Sequence, residues 1–206
     1  MITNIAFDVG GVLLSIATTE DVKQGVIDFL KQEIGVKETK LKEIVDICVP
    51  AWFSEKDKGV NIWSKYFSEE IAVKIVDQYK YFHAKRYQPV SSMMDLCRSL
   101  SKKYQLGILS NFAKEFVLEK NFYNQQIFEP IIFSGIVGVK KPDEMIYKIY
   151  CERAKCRPEQ VLFIDDNLEN VEAAKKFGMT ALLFSTQAKL ERDLEDLDSS
   201  LFPKNY

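Results

Sequence analysis

Five short apolar runs punctuate the chain: Ile5 to Phe7, Leu106 to Leu109, Ile131 to Phe133, Val161 to Ile164 and Ala181 to Phe184. Each lacks the strict alternation of a half-exposed strand, and each is followed by small or polar residues. That is the pattern of a parallel strand covered on both faces. Between the later runs the apolar period becomes helical. Met94, Cys97 and Leu100 follow a serine pair, and Val171, Ala174 and Phe177 follow an Asn/Asp-rich turn and stop at Gly178, placed to end a helix. Strands alternating with helices predict an α/β fold, a Rossmann-like open parallel sheet with right-handed crossovers.

The stretch between the first and second runs is too long for one crossover. From residue 15 to residue 87 the pattern is helical throughout. Val22, Val26, Phe29, Leu30 and Ile34 form one stripe closed by Gly35; Leu41, Ile44, Val45 and Cys48 form a second, with Thr39 as its N-cap; Ile71, Ile75, Val76, Tyr79 and Phe82 form a third, after Ser68. The expected organisation is therefore a core made of residues 1–14 and 88–206, with residues 15–87 inserted as an α-helical cap over the strand ends. Trp52 and Phe53 read as cap interior, the segment Glu55 to Gly59 as a solvated turn between cap helices, and His83 as packed beside Tyr79 and Phe82. Leu190, Leu194, Leu197 and Leu201 predict a closing helix on the core.

Length and composition fit this picture. A chain of 206 residues suits one core with an accessory piece, and 47% hydrophobic residues at a net charge of −2 rule out disorder as the bulk state. There is no basic excess to neutralise a nucleic-acid backbone, so nucleic-acid binding is not expected. No apolar stretch is long enough to span a membrane, and the start lacks the features of a signal peptide. Four cysteines without a C-x-x-C pair, and a single histidine, make a structural zinc site improbable. The expectation is a cytoplasmic protein with reduced thiols.

In an open α/β sheet ligands bind beyond the carboxyl ends of the strands. Those ends carry Asp8-Val9-Gly10-Gly11 after the first run, Ser110-Asn111 after the second, Lys140-Lys141-Pro142-Asp143 beyond the third and Asp165-Asp166-Asn167 after the fourth. Three carboxylates (Asp8, Asp165 and Asp166) converging at one edge need a cation among them. A hard, oxygen-loving ion such as Mg²⁺ fits, with substrate phosphate completing its shell. Ser110 supplies a hydroxyl donor and Lys141 a point charge for phosphoryl oxygens. Gly10 and Gly11 let the backbone turn beside Asp8. Each group alone has a structural explanation as a helix cap, a turn or an exposed lysine. Four groups in order, each after its own strand, are the specific signal.

These residues resemble the haloacid dehalogenase superfamily, and most closely its phosphatase-like members. The resemblance rests on Asn4 to Leu13, on Gly107 to Asn111, on Gly138 to Tyr147, and on Val161 to Asn167 followed by Asn170-Val171 and the run to Gly178-Met179. All four superfamily motifs are present in order and bracket nearly the whole chain. The resemblance implies a nucleophile at Asp8 that forms an aspartyl-phosphate, phosphoryl oxygens held by Ser110 and the backbone N–H of Asn111, and charge neutralisation by Lys141. It also implies Mg²⁺ bound by Asp8, the carbonyl of Gly10 and the acidic pair, with Asp166 the direct ligand and Asp165 a ligand or its hydrogen-bond partner. The function implied is Mg²⁺-dependent hydrolysis of a small phosphorylated metabolite, sugar phosphates included.

One position departs from the pattern. Phosphatases of this superfamily carry a second aspartate two residues after the nucleophile, as general acid; here that position is Gly10. The departure argues against poor leaving groups and against a phosphomutase, and suits an anomeric leaving oxygen. Two alternatives in the same family are a low-turnover protein that senses a phosphorylated ligand and a 2-haloacid dehalogenase, for which the acidic pair would be superfluous. A signalling receiver domain uses similar groups, but its acidic pair follows the first strand rather than the fourth.

Overall fold

The computed structural model describes residues 1–14, 19–35, 37–54, 59–86, 89–112 and 127–197. All five apolar runs are strands: β1 (Asn4–Phe7), β2 (Gln105–Ser110), β3 (Phe128–Phe133), β4 (Val161–Asp165) and β5 (Thr180–Leu183). They form one sheet of order β3-β2-β1-β4-β5, and every pairing is parallel. The period of two is present but hidden, because both faces are apolar. Ile5, Phe7, Leu162 and Ile164 enter one hydrophobic cluster, while Ala6, Val161 and Phe163 enter the other. A strand between two cores has no polar face to show in its sequence.

Among the described residues, four helices separate β1 from the next core element: α1 (Thr19–Ile34), α2 (Glu38–Ser54), α3 (Gly59–Trp63) and α4 (Glu69–Arg86). Then come α5 (Ser91–Leu100) before β2, α6 (Ser134–Val137) and α7 (Glu144–Ala154) between β3 and β4, α8 (Leu168–Phe177) before β5, and α9 (Gln187–Leu197). The three expected stripes of the insert are α1, α2 and α4. Helix α1 packs on α2 and α4, and α2 reaches α6, which starts directly after β3. Part of the insert therefore stands at the carboxyl edge of the sheet. Its apolar residues Val26, Leu30, Val45 and Ile75 belong to the same cluster as Ile5 and Phe7.

Helix ends obey the local chemistry with two adjustments. Gly178 (φ 106°) and Gly35 (φ 62°) take the left-handed conformation at the ends of α8 and α1, where a side chain would be strained. The Oγ of Ser68 accepts from the N–H of Ile71 at the start of α4, as an N-cap should. Thr39, expected as the N-cap of α2, lies inside the first turn instead, because the helix begins at Glu38, an acidic residue favoured by the helix dipole. The second adjustment is α3. Gly59 does not belong to the turn but opens this short helix, whose Trp63 stacks edge-to-face on Trp52 with ring centroids 5.9 Å apart. Trp52 is indeed buried. The side chains of Phe53, Tyr79, Phe82 and His83, and residues 55–58, lie outside the described set. Of the closing helix, Leu190 and Leu194 are buried and Leu197 is exposed, while Leu201 lies outside the described residues.

Candidate active site

The parallel order with β1 at its centre brings three strand ends together at one edge. The N–H of Asp8 donates to the Ile164 carbonyl at 2.8 Å, extending the ladder one residue beyond β1. Ser110 closes β2, and its hydroxyl donates to Asp8 Oδ1 at 2.5 Å. Lys141, from the loop before α7, sends its Nζ to Asp8 Oδ1 at 2.9 Å and to Asp165 Oδ2 at 2.6 Å. A third bond runs to the Leu109 carbonyl at 2.9 Å. Three acceptors match the three protons of an ammonium group. The ring of Phe163 lies beneath, its centroid 5.3 Å from Nζ.

Electrostatics follow from this burial. The Lys141 side chain is 1% exposed. Burial is the strongest single influence on its charge and opposes it, but Asp8 and Asp165 together outweigh burial, so its pKa lies above the ordinary lysine value. Asp8 responds the other way: burial pushes its carboxyl up to about 6, against the pull of Lys141 and with added push from Asp165. An uncompensated excess of negative charge remains at this edge. Asp166 is exposed, and its pKa is raised by partial burial and by the neighbouring Asp165, against Lys141.

The adjacent acids divide into two environments. Asp165 is fully buried and crowded with donors: Lys141, the N–H of Asn167 at 2.8 Å, and the Asn170 amide at 3.1 and 3.2 Å. Asn170 is itself held by the Tyr147 hydroxyl, which donates to its carbonyl at 2.9 Å. One carboxylate oxygen each from Asp8, Asp165 and Asp166 lie within 4.8 Å of one another. An all-oxygen, net negative set of this kind fits a hard divalent cation.

Asn111 does something the sequence does not reveal. Its side-chain Nδ2 donates to the Lys141 carbonyl at 2.9 Å, and its Oδ1 accepts from the Lys141 N–H at 2.8 Å. The amide thus imitates one rung of a β-ladder and fixes the backbone from which the lysine reaches back. An asparagine at a strand end hints at such a bond, but its partner 30 residues away is visible only in three dimensions. Asn111→Ala is expected to lower stability by about 1–3 kcal/mol, because it strips two hydrogen bonds from the buried backbone of Lys141. Thermal melts followed by circular dichroism check this.

The two glycines after Asp8 also separate. Gly11 has φ 76° and needs its freedom. Gly10 is not in the left-handed region, so the turn does not require it, contrary to the expectation from sequence. A Cβ at Gly10 would sit 3.7 Å from the Phe112 ring, an ordinary contact.

Comparison with known proteins bears on the family and the fold. The family profile of haloacid dehalogenase-like hydrolases matches residues 2–178. The chain is 30% identical over 107 residues to a glyceraldehyde 3-phosphate phosphatase of Methanothermobacter thermautotrophicus, covering 50% of this chain and 46% of that protein. It is 35% identical over 79 residues to bifunctional epoxide hydrolase 2 of Rattus norvegicus, covering 38% of this chain and 14% of that protein. The chain thus spans less than half the length of either relative. Among solved structures, the HAD family enzyme bt-2542 of Bacteroides thetaiotaomicron superposes with a TM-score of 0.72 at 20% identity, covering 93% of this chain and 98% of that one. That enzyme has also been solved in complex with magnesium and inorganic phosphate.

Proposed function

The chain belongs to the haloacid dehalogenase-like hydrolases, and on that premise we propose that it is a Mg²⁺-dependent phosphatase of small phosphorylated metabolites, sugar phosphates among them. The observation that carries the reading is the buried Lys141 ammonium shared between Asp8 and Asp165, with the Ser110 hydroxyl on the same Asp8 oxygen. Both of those bonds fall on Oδ1, leaving Oδ2 as the oxygen to attack phosphorus. Attack forms a P–O bond to Asp8 as the ester oxygen departs; water then cleaves the aspartyl-phosphate. Ser110 and the backbone N–H of Asn111 hold the phosphoryl oxygens, and Lys141 offsets their charge as they approach the carboxylate.

Asp8, the Gly10 carbonyl and Asp166 would hold Mg²⁺, with Asp165 as ligand or orienting partner. The cation supplies charge neutralisation between nucleophile and phosphate. A phosphatase named among the relatives, and magnesium with phosphate in a structural neighbour, support this assignment. The helical insert of residues 15–87, placed against α6, would select the substrate as a cap on a core of residues 1–14 and 88–206. No helix among the described residues is long and apolar enough to cross a membrane.

Hydrolysis of an aryl phosphate by the purified protein, with Mg²⁺ and with chelator, tests the reading. Turnover with Mg²⁺ and none with chelator is the expected result; no turnover from folded protein in either condition overturns it. Gly10→Asp tests the missing general acid. A Cβ at this position makes only an ordinary contact with Phe112, and general acid assistance is worth roughly 10²- to 10⁴-fold where the leaving group is poor. Rates on alkyl phosphates should rise at least tenfold more than on aryl phosphates; equal gains would contradict the argument.

A further inference from the structure

The end of α7 brings two thiols together on the side of the molecule that the proposed chemistry does not use. Lys155 takes the left-handed conformation (φ 52°, ψ 41°), and the N–H of Cys156 then bonds back to the carbonyl of Cys151 at 3.1 Å. This six-to-one bond belongs to the Schellman ending of a helix, which places the side chain just beyond the left-handed residue against the one five positions earlier. Two hydrophobic residues usually make that contact. Here both are cysteines, and both are free thiols. Cys151 is 7% exposed and Cys156 is partly exposed. Both line a surface groove of about 440 Å³ that also carries Lys148, Lys155 and Arg157. Cys48 and Cys97, by contrast, are buried within the other hydrophobic cluster.

We propose that Cys151 and Cys156 are a dithiol modification site that a low-molecular-weight disulfide, such as oxidised glutathione, converts to an intramolecular disulfide. Cys156, the more exposed, loses its proton to solvent and attacks one sulfur of the glutathione disulfide. That S–S bond breaks and one glutathione thiolate leaves. Cys151, deprotonated in turn, attacks the Cys156 sulfur of the mixed disulfide and expels the second glutathione. The two protein thiols are oxidised by two electrons, the reagent is reduced to two thiols, and the protons balance. Burial raises both thiol pKa values, so the exchange proceeds faster in mildly alkaline buffer. Three basic residues at the groove outnumber its one acid, Glu152, which suits an anionic tripeptide approaching it.

The test uses the full chain, treated with oxidised glutathione under native conditions and digested after alkylation of remaining thiols. Trypsin cuts between the two cysteines at Arg153 and Lys155, so a Cys151–Cys156 bond joins two peptides. The expected product is that joined pair, two hydrogens lighter than the reduced peptides, carrying no glutathione and separating on reduction. Cys151→Ser should instead accumulate glutathione on Cys156. Three results overturn the proposal: a persistent glutathione adduct on Cys156 of the unsubstituted protein, a bond from either cysteine to Cys48 or Cys97, or no reaction at either thiol. None of these readouts depends on phosphatase activity, so the two proposals stand or fall separately.

Discussion

Asp8→Asn is expected to remove at least four orders of magnitude of aryl phosphate turnover while making the metal-free protein more stable. Loss of rate follows because asparagine cannot form the phospho-enzyme, and removal of a nucleophile collapses the whole sequence of steps. The gain in stability follows from the pKa. Asp8 has an ordinary value of 3.8 and is pushed up to about 6 in the fold, by burial above all. A carboxyl with a raised folded-state pKa contributes stability that is fully present below its ordinary value and is lost as pH rises through about 6. At neutral pH its charge costs the fold up to about 3 kcal/mol. Asparagine carries no charge and can still accept from Ser110 and Lys141. Part of the gain is offset by weaker pairing for Lys141, leaving about 1–2 kcal/mol, or roughly 2–8 °C in Tm for a chain of this size. Thermal melts in chelator should show the variant ahead at neutral pH and its lead gone below pH 3.8, where Asp8 becomes protonated in folded and unfolded wild type alike. Adding Mg²⁺ should raise the Tm of the wild type and not of the variant. A variant less stable than wild type at neutral pH would show that Asp8 is not under electrostatic strain.

The parts of this site that could be read from sequence are those fixed by strand ends. Asp8, Ser110 and Asp165 sit at or one residue beyond a buried strand, so the carboxyl end of each apolar run points to them without any tertiary knowledge. Gly178 and Ser68 were legible for a similar reason, since helix termini have local chemistry. The relations that set the energetics were not legible, because they join groups far apart in the chain. The run Lys140-Lys141 by itself does not say which lysine turns inward, and only the family resemblance points to Lys141; it does so because Asn111 fixes its backbone and two carboxylates and a carbonyl await its ammonium. The different environments of Asp165 and Asp166 likewise arise from strand direction at β4, which buries one and exposes the other. Helices α3 and α6 span 5 and 4 residues, too few for a 3.6-residue period to show.

Lys141→Met carries the second large expectation: a loss of stability of about 3–5 kcal/mol, corresponding to a fall in Tm of roughly 6–20 °C. Methionine matches the length of the lysine stem, so packing against Phe163 largely survives and the loss is electrostatic. Two buried carboxylates then share one edge without their common cation. Lys141 is the strongest influence holding the pKa of Asp8 down, so that value should climb further in the variant. By the same sign rule, the deficit against wild type should be greatest above neutral pH and shrink toward pH 4, as Asp8 becomes protonated in the fold. A deficit independent of pH would instead indicate lost packing. Mg²⁺ provides a second check, since a cation bound among Asp8, Asp165 and Asp166 substitutes for part of the missing charge. It should restore some of the Tm but none of the turnover, because the lysine also offsets the charge of the incoming phosphate. A double-variant cycle isolates the pair. Asp8→Asn should stabilise the Lys141→Met protein by more than it stabilises wild type, because in wild type the asparagine also deprives Lys141 of a partner. Equal gains in the two backgrounds would mean that the 2.9 Å contact between Lys141 and Asp8 contributes no net attraction, and that the lysine is retained for Asp165 alone.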